Sequence, residues 1–304
     1  MNRKKLTIIL GPTAVGKTSY AISYAKEIGS SIINCDSRQI YKELSIGVAR
    51  PLAEELKLVK HYFIATHSIT KLYTAGQFEL DVLSLLQTLF KERDEVVMCG
   101  GSGLYIDAVC NGIDPFPSAD LKLRNKLNMQ LKEEGIENLR VLLKKVDPTS
   151  YDSIDIANPQ RVIRAIEVTL QTGRKFSDWK SGQDSSSLAN KVRDFDIVKI
   201  GLNREREILY KRIDQRVEKM MEMGLLEEVQ QLDKFRYVEG VKHPDLEHIP
   251  ALRTVGYREL FAYIDGELSL NEAVEQIKLH TRHYAKRQLT WWGRDKSIEW
   301  RDAT

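Results

Sequence analysis

Leu6-Thr7-Ile8-Ile9-Leu10-Gly11-Pro12-Thr13-Ala14-Val15-Gly16-Lys17-Thr18 is the stretch on which the rest of the chain turns. Its first five residues are a short, mostly branched apolar run ended by a glycine, which suits a strand buried on both faces of a parallel sheet. Beyond it, Ala21, Ile22, Ala25 and Ile28 recur at helical spacing, and Gly29 is placed to close the helix. Between strand and helix lies Gly-x-x-x-x-Gly-Lys-Thr, in the setting that a phosphate loop requires. The glycines let backbone N–H groups converge on phosphate oxygens, and the helix N-terminus adds partial positive charge. Lys17 can neutralise an outer phosphate, and the Thr18 hydroxyl can hold Mg2+. The whole loop, Gly11, Pro12, Thr13, Ala14, Val15, Gly16, Lys17 and Thr18, is expected to cradle a diphosphate. The competing reading is an ordinary strand-to-helix turn.

Two further segments reach the same edge. Residues 31–35 form a second short strand that delivers Asp36 at its carboxyl end, where open α/β sheets bind ligands. Residues 96–99 repeat the pattern and run into Gly100-Gly101-Ser102-Gly103. Asp36 can serve as a general base or a water-mediated magnesium ligand, or it can cap the turn that follows. A switch or motor ATPase would place a magnesium-binding Asp after a later strand, but residues 96–99 lead into glycines instead. No Asn-Lys-x-Asp element is present to read guanine.

The expected fold class is α/β: a P-loop NTPase-like parallel sheet core with a mainly helical insertion and a helical C-terminal region. Three segments are expected: 1–114 as the first part of the core, 115–192 as the insertion, and 193–304 as core completion and basic C-terminal helices. Prolines at 115 and 117 break the chain, residues 121–146 read as a helix, and Asn158-Pro159 caps another that Gly173 closes. Residues 181–190 are a polar, serine-rich loop. Residues 195–202 return to strand, residues 204–235 to helix with a break near Gly224, and the chain is expected to end in further helices.

A chain of 304 residues with 42% apolar and 29% charged content can build a sizeable core, and no apolar run is long enough to span a bilayer. Cys35, Cys99 and Cys110 lack metal-ligand spacing and read as reduced thiols of a cytoplasmic protein. The six histidines show no metal spacing. A net charge of +3 is too small to argue for nucleic acid, yet seven Lys/Arg against two acids fall between Lys278 and Arg301. There Val274, Ile277, Thr281, Tyr284, Gln288 and Trp291 form an expected core stripe, while Lys278, Arg282 and Lys286 share another face. With Arg287, Trp291, Trp292 and Arg294, that face has the composition of an RNA contact or of a solvated basic helix. Arg161 and Arg164 lie one turn apart, with Glu167 and Asp155 as available ion partners. Arg216 could reach a leaving diphosphate or decorate a helix surface.

Six ordered stretches together resemble the tRNA dimethylallyltransferases, also called tRNA isopentenyltransferases, in their bacterial form. They are the loop at 11–18, Asp36-Ser37-Arg38-Gln39-Ile40-Tyr41, Gly100-Gly101-Ser102-Gly103-Leu104-Tyr105, Asn158-Pro159-Gln160-Arg161-Val162-Ile163-Arg164-Ala165, Val255-Gly256-Tyr257 and Tyr284-Ala285-Lys286-Arg287-Gln288-Leu289-Thr290-Trp291. The resemblance spans nearly the whole chain. It implies transfer of a dimethylallyl group from dimethylallyl diphosphate to the exocyclic amino nitrogen of the adenosine on the 3′ side of a tRNA anticodon. It also implies Mg2+, a monomer that grips the anticodon stem-loop, and no membrane.

By the same resemblance, Asp36 takes the amino proton and the loop, with Lys17, Thr18 and Mg2+, binds the diphosphate; the charge that grows on the departing diphosphate is one that Lys17 and Arg216 could meet. Contact with tRNA is implied for Asp36, Ser37, Arg38, Gln39, Ser102, Arg124, Gln160, Arg161, Val162, Ile163 and Arg164, with Lys286 and Arg287 on the basic tail. The chain departs from the family in three places: Ser102 stands where Thr is usual, Gly293 where Arg is more common, and Gly47-Val48-Ala49-Arg50 replaces Gly-Thr-Ala-Lys. Two rivals share parts of this pattern. A small-molecule or nucleotide kinase would share the phosphate loop, and a non-catalytic RNA-binding protein would share the basic tail without needing Asp36 beside the loop.

Overall fold

Strand β1 (Lys5–Leu10) has a parallel neighbour on each side, which is why its residues read as one apolar run. Leu6, Ile8, Ile9 and Leu10 are each 0% exposed. It leads through α1 (Lys17–Glu27), β2 (Ile32–Asn34), α2 (Ala53–Leu58) and β3 (His61–Tyr62) to α3 (Ala75–Leu89), β4 (Glu95–Gly100) and α4 (Gly103–Asn111). Four helices follow: α5 (Leu121–Glu134), α6 (Ile136–Val146), α7 (Pro148–Ser153) and α8 (Pro159–Thr172). The sheet resumes with β5 (Asp196–Asn203), then α9 (Arg206–Glu222) and α10 (Leu225–Leu232). A hairpin of β6 (Tyr237–Val238) and β7 (Val241–Lys242) precedes α11 (Tyr257–Ile264), α12 (Leu270–Trp292) and β8 (Ile298–Asp302).

This computed structural model describes residues 3–114, 116–179, 193–242 and 249–303. The serine-rich stretch at 181–190, together with His243 and His248, lies outside them. The chain divides into two units, residues 1–110 with 193–304, and residues 111–192.

In the first unit the strand order is β3-β2-β4-β1-β5-β8, with every pairing parallel, so the expected α/β class holds. β1 lies between strands reached by connections running to opposite sides, so the carboxyl end of β1 is the switch point where such sheets bind ligands. Leu10 pairs with Gly100 on one side and Gly201 on the other, which brings three strand ends together there. Gly11 then has φ +148°, and a β-carbon on it would fall 2.4 Å from Leu202 O. Only glycine lets β1 turn into its loop this close to β5.

β8 corrects the expectation that the chain ends in helices. Ile298–Asp302 joins the sheet as an edge strand beside β5, with only Ile298 buried. Four of its five residues face solvent, so the apolar run that marks an inner strand is missing.

α12 also corrects its expected stripe. The buried positions are Ala273, Ile277, Ala285, Gln288 and Trp292, while Tyr284 is 36% and Trp291 45% exposed. The core face is thus rotated by about one residue, with small Ala273 and Ala285 allowing close packing and Trp292 in place of Trp291 as the buried aromatic. On α9 the buried stripe is Leu209, Ile213 and Val217, which leaves Arg212 and Arg216 on the adjoining face.

In the second unit, the single helix expected over 121–146 is two, separated by Gly135 at φ 80°. Leu127, Leu139, Leu143, Val162, Ile163, Ala165 and Ile166 form its core. Asn158 caps α8 by accepting from Gln160 N and Arg161 N, Pro159 occupies the first turn, and Gly173 closes the helix at φ 70°. Asp147 is 0% exposed and accepts from Ser150 N and from both Ser177 N and Ser177 Oγ, which anchors α7.

Candidate active site

The phosphate loop is shaped by long-range side chains. Arg212 Nε donates to Ala14 O at 2.9 Å and Arg204 Nε to Val15 O at 3.0 Å. Ala14 is left-handed at φ 64°, a conformation disfavoured without glycine, and the arginine on its carbonyl helps hold it there. Gly16 precedes α1 at φ 111° with no side-chain cap, and no acid occupies the first turn. The first amides of α1 thus face the loop without a side-chain acceptor, the arrangement that receives an anion.

Two cations converge on the loop. Lys17 Nζ donates to Pro12 O at 2.7 Å, and Arg216 Nη1 donates to Thr13 Oγ1 at 3.1 Å. The Lys17 side chain keeps some exposure, but its ammonium end is enclosed, and burial lowers its pKa to about 8, with Arg216 adding repulsion and Asp36 and Cys99 opposing. Burial likewise lowers the pKa of Arg216, with Arg212 contributing. Asp36 opposes both cations and Glu55 acts on Arg216 as well, while Arg212 adds further positive charge, so cations outnumber carboxylates around the loop.

Asp36 is the carboxylate common to both cations. Its Oδ1 accepts from Arg38 N at 2.8 Å and Gln39 N at 3.3 Å, so it does cap the following turn. One oxygen holds the backbone, and Oδ2 takes no hydrogen bond among the described residues. The next residue is tied to the third loop: Ser102 Oγ accepts from Ser37 N at 2.9 Å and lies 3.1 Å from Ser37 Oγ. The Tyr284 ring is partly exposed, but its hydroxyl is enclosed facing Ser102, and that desolvation, with Asp36 nearby, raises its pKa. Gln39 donates both amide hydrogens inward, to Val48 O and Ala49 O, so its carboxamide shapes the 47–50 turn.

The Val255-Gly256-Tyr257 stretch has a local purpose. Tyr257 OH donates to Glu228 Oε1 at 2.7 Å, and the same carboxylate accepts from the amides of Ser45, Ile46 and Gly47. Tyr257 and Glu228 thereby fix the segment that follows the Asp36 turn.

On α12, Lys286 and Arg287 are exposed, and the Arg287 guanidinium lies 5.8 Å from the Tyr284 ring centre. Lys278 is ion-paired with Glu218 and Glu275, and Arg282 approaches Asp214 at 3.6 Å, so half of the basic face is neutralised within the fold. Trp291 donates from Nε1 to Asp107 Oδ2 at 2.9 Å.

In the helical unit, Glu167 is 0% exposed and carries both Arg124, at 2.6 Å, and Arg164, at 2.7 Å. Arg161 approaches Asp155 at 3.7 Å, and Gln160 is exposed. Val162 and Ile163 are 0% and 1% exposed, so their side chains belong to the core, which corrects their place among the RNA contacts. One face of α8 is used for packing, and Gln160, Arg161 and Arg164 lie off it.

Gln288, Arg204 and Arg212 went unrecognised as parts of the site. The available signal was Gln288 itself, a polar residue on an otherwise apolar stripe. Among the described residues, no group of three or more His, Cys, Asp or Glu could hold a metal, and no helix is long and apolar enough to cross a membrane.

A parallel sheet whose switch point carries a phosphate loop, two enclosed cations and an opposing carboxylate defines a P-loop group-transfer enzyme. The chain belongs to the IPP transferase family, whose model matches residues 39–295. It is 45% identical over 297 residues to tRNA dimethylallyltransferase 2 of Azobacteroides pseudotrichonymphae, covering 98% of this chain and 91% of that protein. The enzyme of the same name from Parabacteroides distasonis is 46% identical over 295 residues, with 97% and 93% covered. Among solved structures, the full-length tRNA isopentenylpyrophosphate transferase of Bacillus halodurans superposes with a TM-score of 0.67 at 32% identity, covering 99% of this chain and 91% of that one. A eukaryotic dimethylallyltransferase acting on tRNA superposes with a TM-score of 0.80 at 26% identity, covering 99% and 74%.

Proposed function

We infer that this chain transfers a dimethylallyl group from dimethylallyl diphosphate to the exocyclic amino nitrogen of adenine at position 37 of tRNA, giving isopentenyladenosine. The observation that carries the reading is Asp36 on the same sheet edge as Lys17 and Arg216, all close enough for their charges to interact. A kinase would also use the cations and remove a proton from its acceptor, so membership of the IPP transferase family is what favours carbon transfer. The free oxygen of Asp36 beside the cations suits the adenine amino group as an acceptor that must lose a proton.

In the reaction, the allylic carbon–oxygen bond breaks, a nitrogen–carbon bond forms, and the amino proton leaves. The nitrogen lone pair is delocalised into the ring, so attack benefits from concerted proton removal, assigned here to Asp36 Oδ2. Negative charge grows on the diphosphate, and Lys17, Arg216 and the amides at the start of α1 lie at the loop to meet it. The target adenosine must leave the anticodon stack to reach these groups.

Mg2+ fits the donors present. The loop offers the Thr18 hydroxyl rather than a carboxylate cage, which suits an ion held mainly by substrate oxygens and water. When bound it supplies further charge neutralisation for the diphosphate. We assign RNA contact to Ser37, Arg38, Ser102, Lys286 and Arg287, and to Arg124, Gln160, Arg161 and Arg164 in the helical unit.

The test uses anticodon stem-loops that differ only in the nucleotide 3′ of the anticodon. Transfer to the adenosine form alone, with one diphosphate released per nucleoside modified, is the expected result. Diphosphate release without a modified nucleoside would contradict the reading.

A further inference from the structure

Gln288 on α12 is 5% exposed, yet it carries a carboxamide with both ends engaged. Its Oε1 accepts from Thr13 N at 2.9 Å, and its Nε2 donates to Gly101 O at 2.8 Å. The orientation is dictated, since only the oxygen can face an amide N–H and only the nitrogen a carbonyl. A β-carbon on Gly101 would lie 2.4 Å from Gln288 Nε2 and 3.8 Å from Gly11 O, so the two loops close on the carboxamide without slack.

The bridged loops are the two sides of the reaction. Thr13 belongs to the loop assigned to the diphosphate, and it also receives Arg216 on its hydroxyl. Gly101 immediately precedes Ser102, whose hydroxyl holds Ser37 beside Asp36. We propose that Gln288 is a positioning residue that sets the spacing between the prenyl diphosphate and the adenine amino group by bonding Thr13 and Gly101 at once. This rests on the transferase reading of the two loops.

Lys17 and the exposed tail cations make no bond to this carboxamide, and Arg216 meets Thr13 through its hydroxyl rather than through the amide that Gln288 holds. Loosening it should therefore move the reactants apart while leaving their binding contacts in place. A misplacement of about 1 Å can reduce rate by about 100-fold, so the effect is expected in kcat rather than KM.

Two variants test this in the full-length protein. Gln288→Met keeps the volume and removes both bonds; the expected result is kcat lower by about 100-fold, with KM for each substrate within about threefold of wild type. Gln288→Glu keeps the acceptor for Thr13 N but turns a carboxylate oxygen toward Gly101 O. Protonation restores a donor there, so its kcat relative to wild type should rise as pH falls from about 8 to about 6, a trend absent from Gln288→Met. Unchanged kcat in Gln288→Met, or a loss shared equally with KM, overturns the proposal. If Gln288→Met does not fold, a pH-independent ratio for Gln288→Glu overturns it. Failure of the wild-type protein to transfer label would instead overturn the transferase reading itself.

Discussion

Arg216 Nη1 lies 3.1 Å from Thr13 Oγ1, tying α9 to the phosphate loop across 203 positions of sequence. Arg216 is therefore a loop cation and not a surface ornament. Arg216→Gln removes charge opposite the developing diphosphate while keeping a polar side chain. Turnover should fall by about 100- to 1,000-fold, as for loss of one preorganised donor. Steady-state kinetics with both substrates varied checks this, and a change confined to KM would place Arg216 in uniform binding.

Asp36 has two tasks that one substitution can separate. Asp36→Asn keeps Oδ1 as acceptor for Arg38 N and Gln39 N but cannot take a proton. Single-turnover rates should drop by about 100- to 10,000-fold, with a melting temperature and tRNA affinity close to wild type. Equal losses in affinity and rate would make Asp36 a recognition residue.

Lys17 should give diphosphate binding a pH signature. Its pKa is lowered to about 8, chiefly by burial, so the ammonium is charged below that pH and lost above it. Affinity for dimethylallyl diphosphate should fall as pH rises through about 8, and binding near that pH should take up a proton as the anion restores the charge. For stability the sign is opposite. The unfolded lysine, at 10.5, holds its proton where the folded one does not, so this group's contribution to stability rises with pH between those values. Calorimetry in buffers of different ionisation enthalpy measures the proton, and Lys17→Arg should abolish the Lys17 share of the uptake.

The local parts of this account were legible in the sequence. The run from Leu6 to Thr18, the Asp36 turn and the 100–103 glycines each encode strand, loop and helix within a few residues, and strand ends in a parallel sheet share an edge. The bonds that shape the site are not local. Gln288 lies 275 positions from Thr13, and Arg212 lies 198 from Ala14, so their meeting depends on sheet order and helix docking rather than on periodicity. The core face of α12 lies about one residue from the expected stripe because Tyr284 and Trp291 are apolar enough to mimic core. β8 is not legible because an edge strand needs only one buried side chain. Val162 and Ile163 show the converse, where a contiguous sequence stretch is divided by the helix into a buried and an open face.

Asp147 offers a stability test within the helical unit. Burial pushes its carboxyl pKa up, but the hydrogen bonds from Ser150 and Ser177 outweigh this and hold it below its ordinary value. That stabilisation is present above the unfolded pKa of 3.8 and is lost as pH falls through the folded value. Asp147→Ala should cost about 2–4 kcal/mol, through the lost cap and unpaired buried donors. Hydrogen exchange of α7 and the neighbouring amides should accelerate; unchanged protection would argue against the anchor.

Lys286 and Arg287 are the exposed cations of α12 without an ion partner among the described residues. Replacing each with Gln should weaken tRNA binding and reduce the slope of log affinity against log salt by roughly 1 per charge removed. Filter binding across a salt series reads this, and an unchanged slope would take this end of α12 out of the RNA interface.

The most direct test of the central claim uses dimethylallyl diphosphate carrying one label in the prenyl carbon and another in phosphorus, incubated with the protein, Mg2+ and unmodified tRNA. The account predicts that the carbon label enters the tRNA and all the phosphorus label leaves as free diphosphate. Phosphorus label on the acceptor, or tRNA without carbon label, would contradict it.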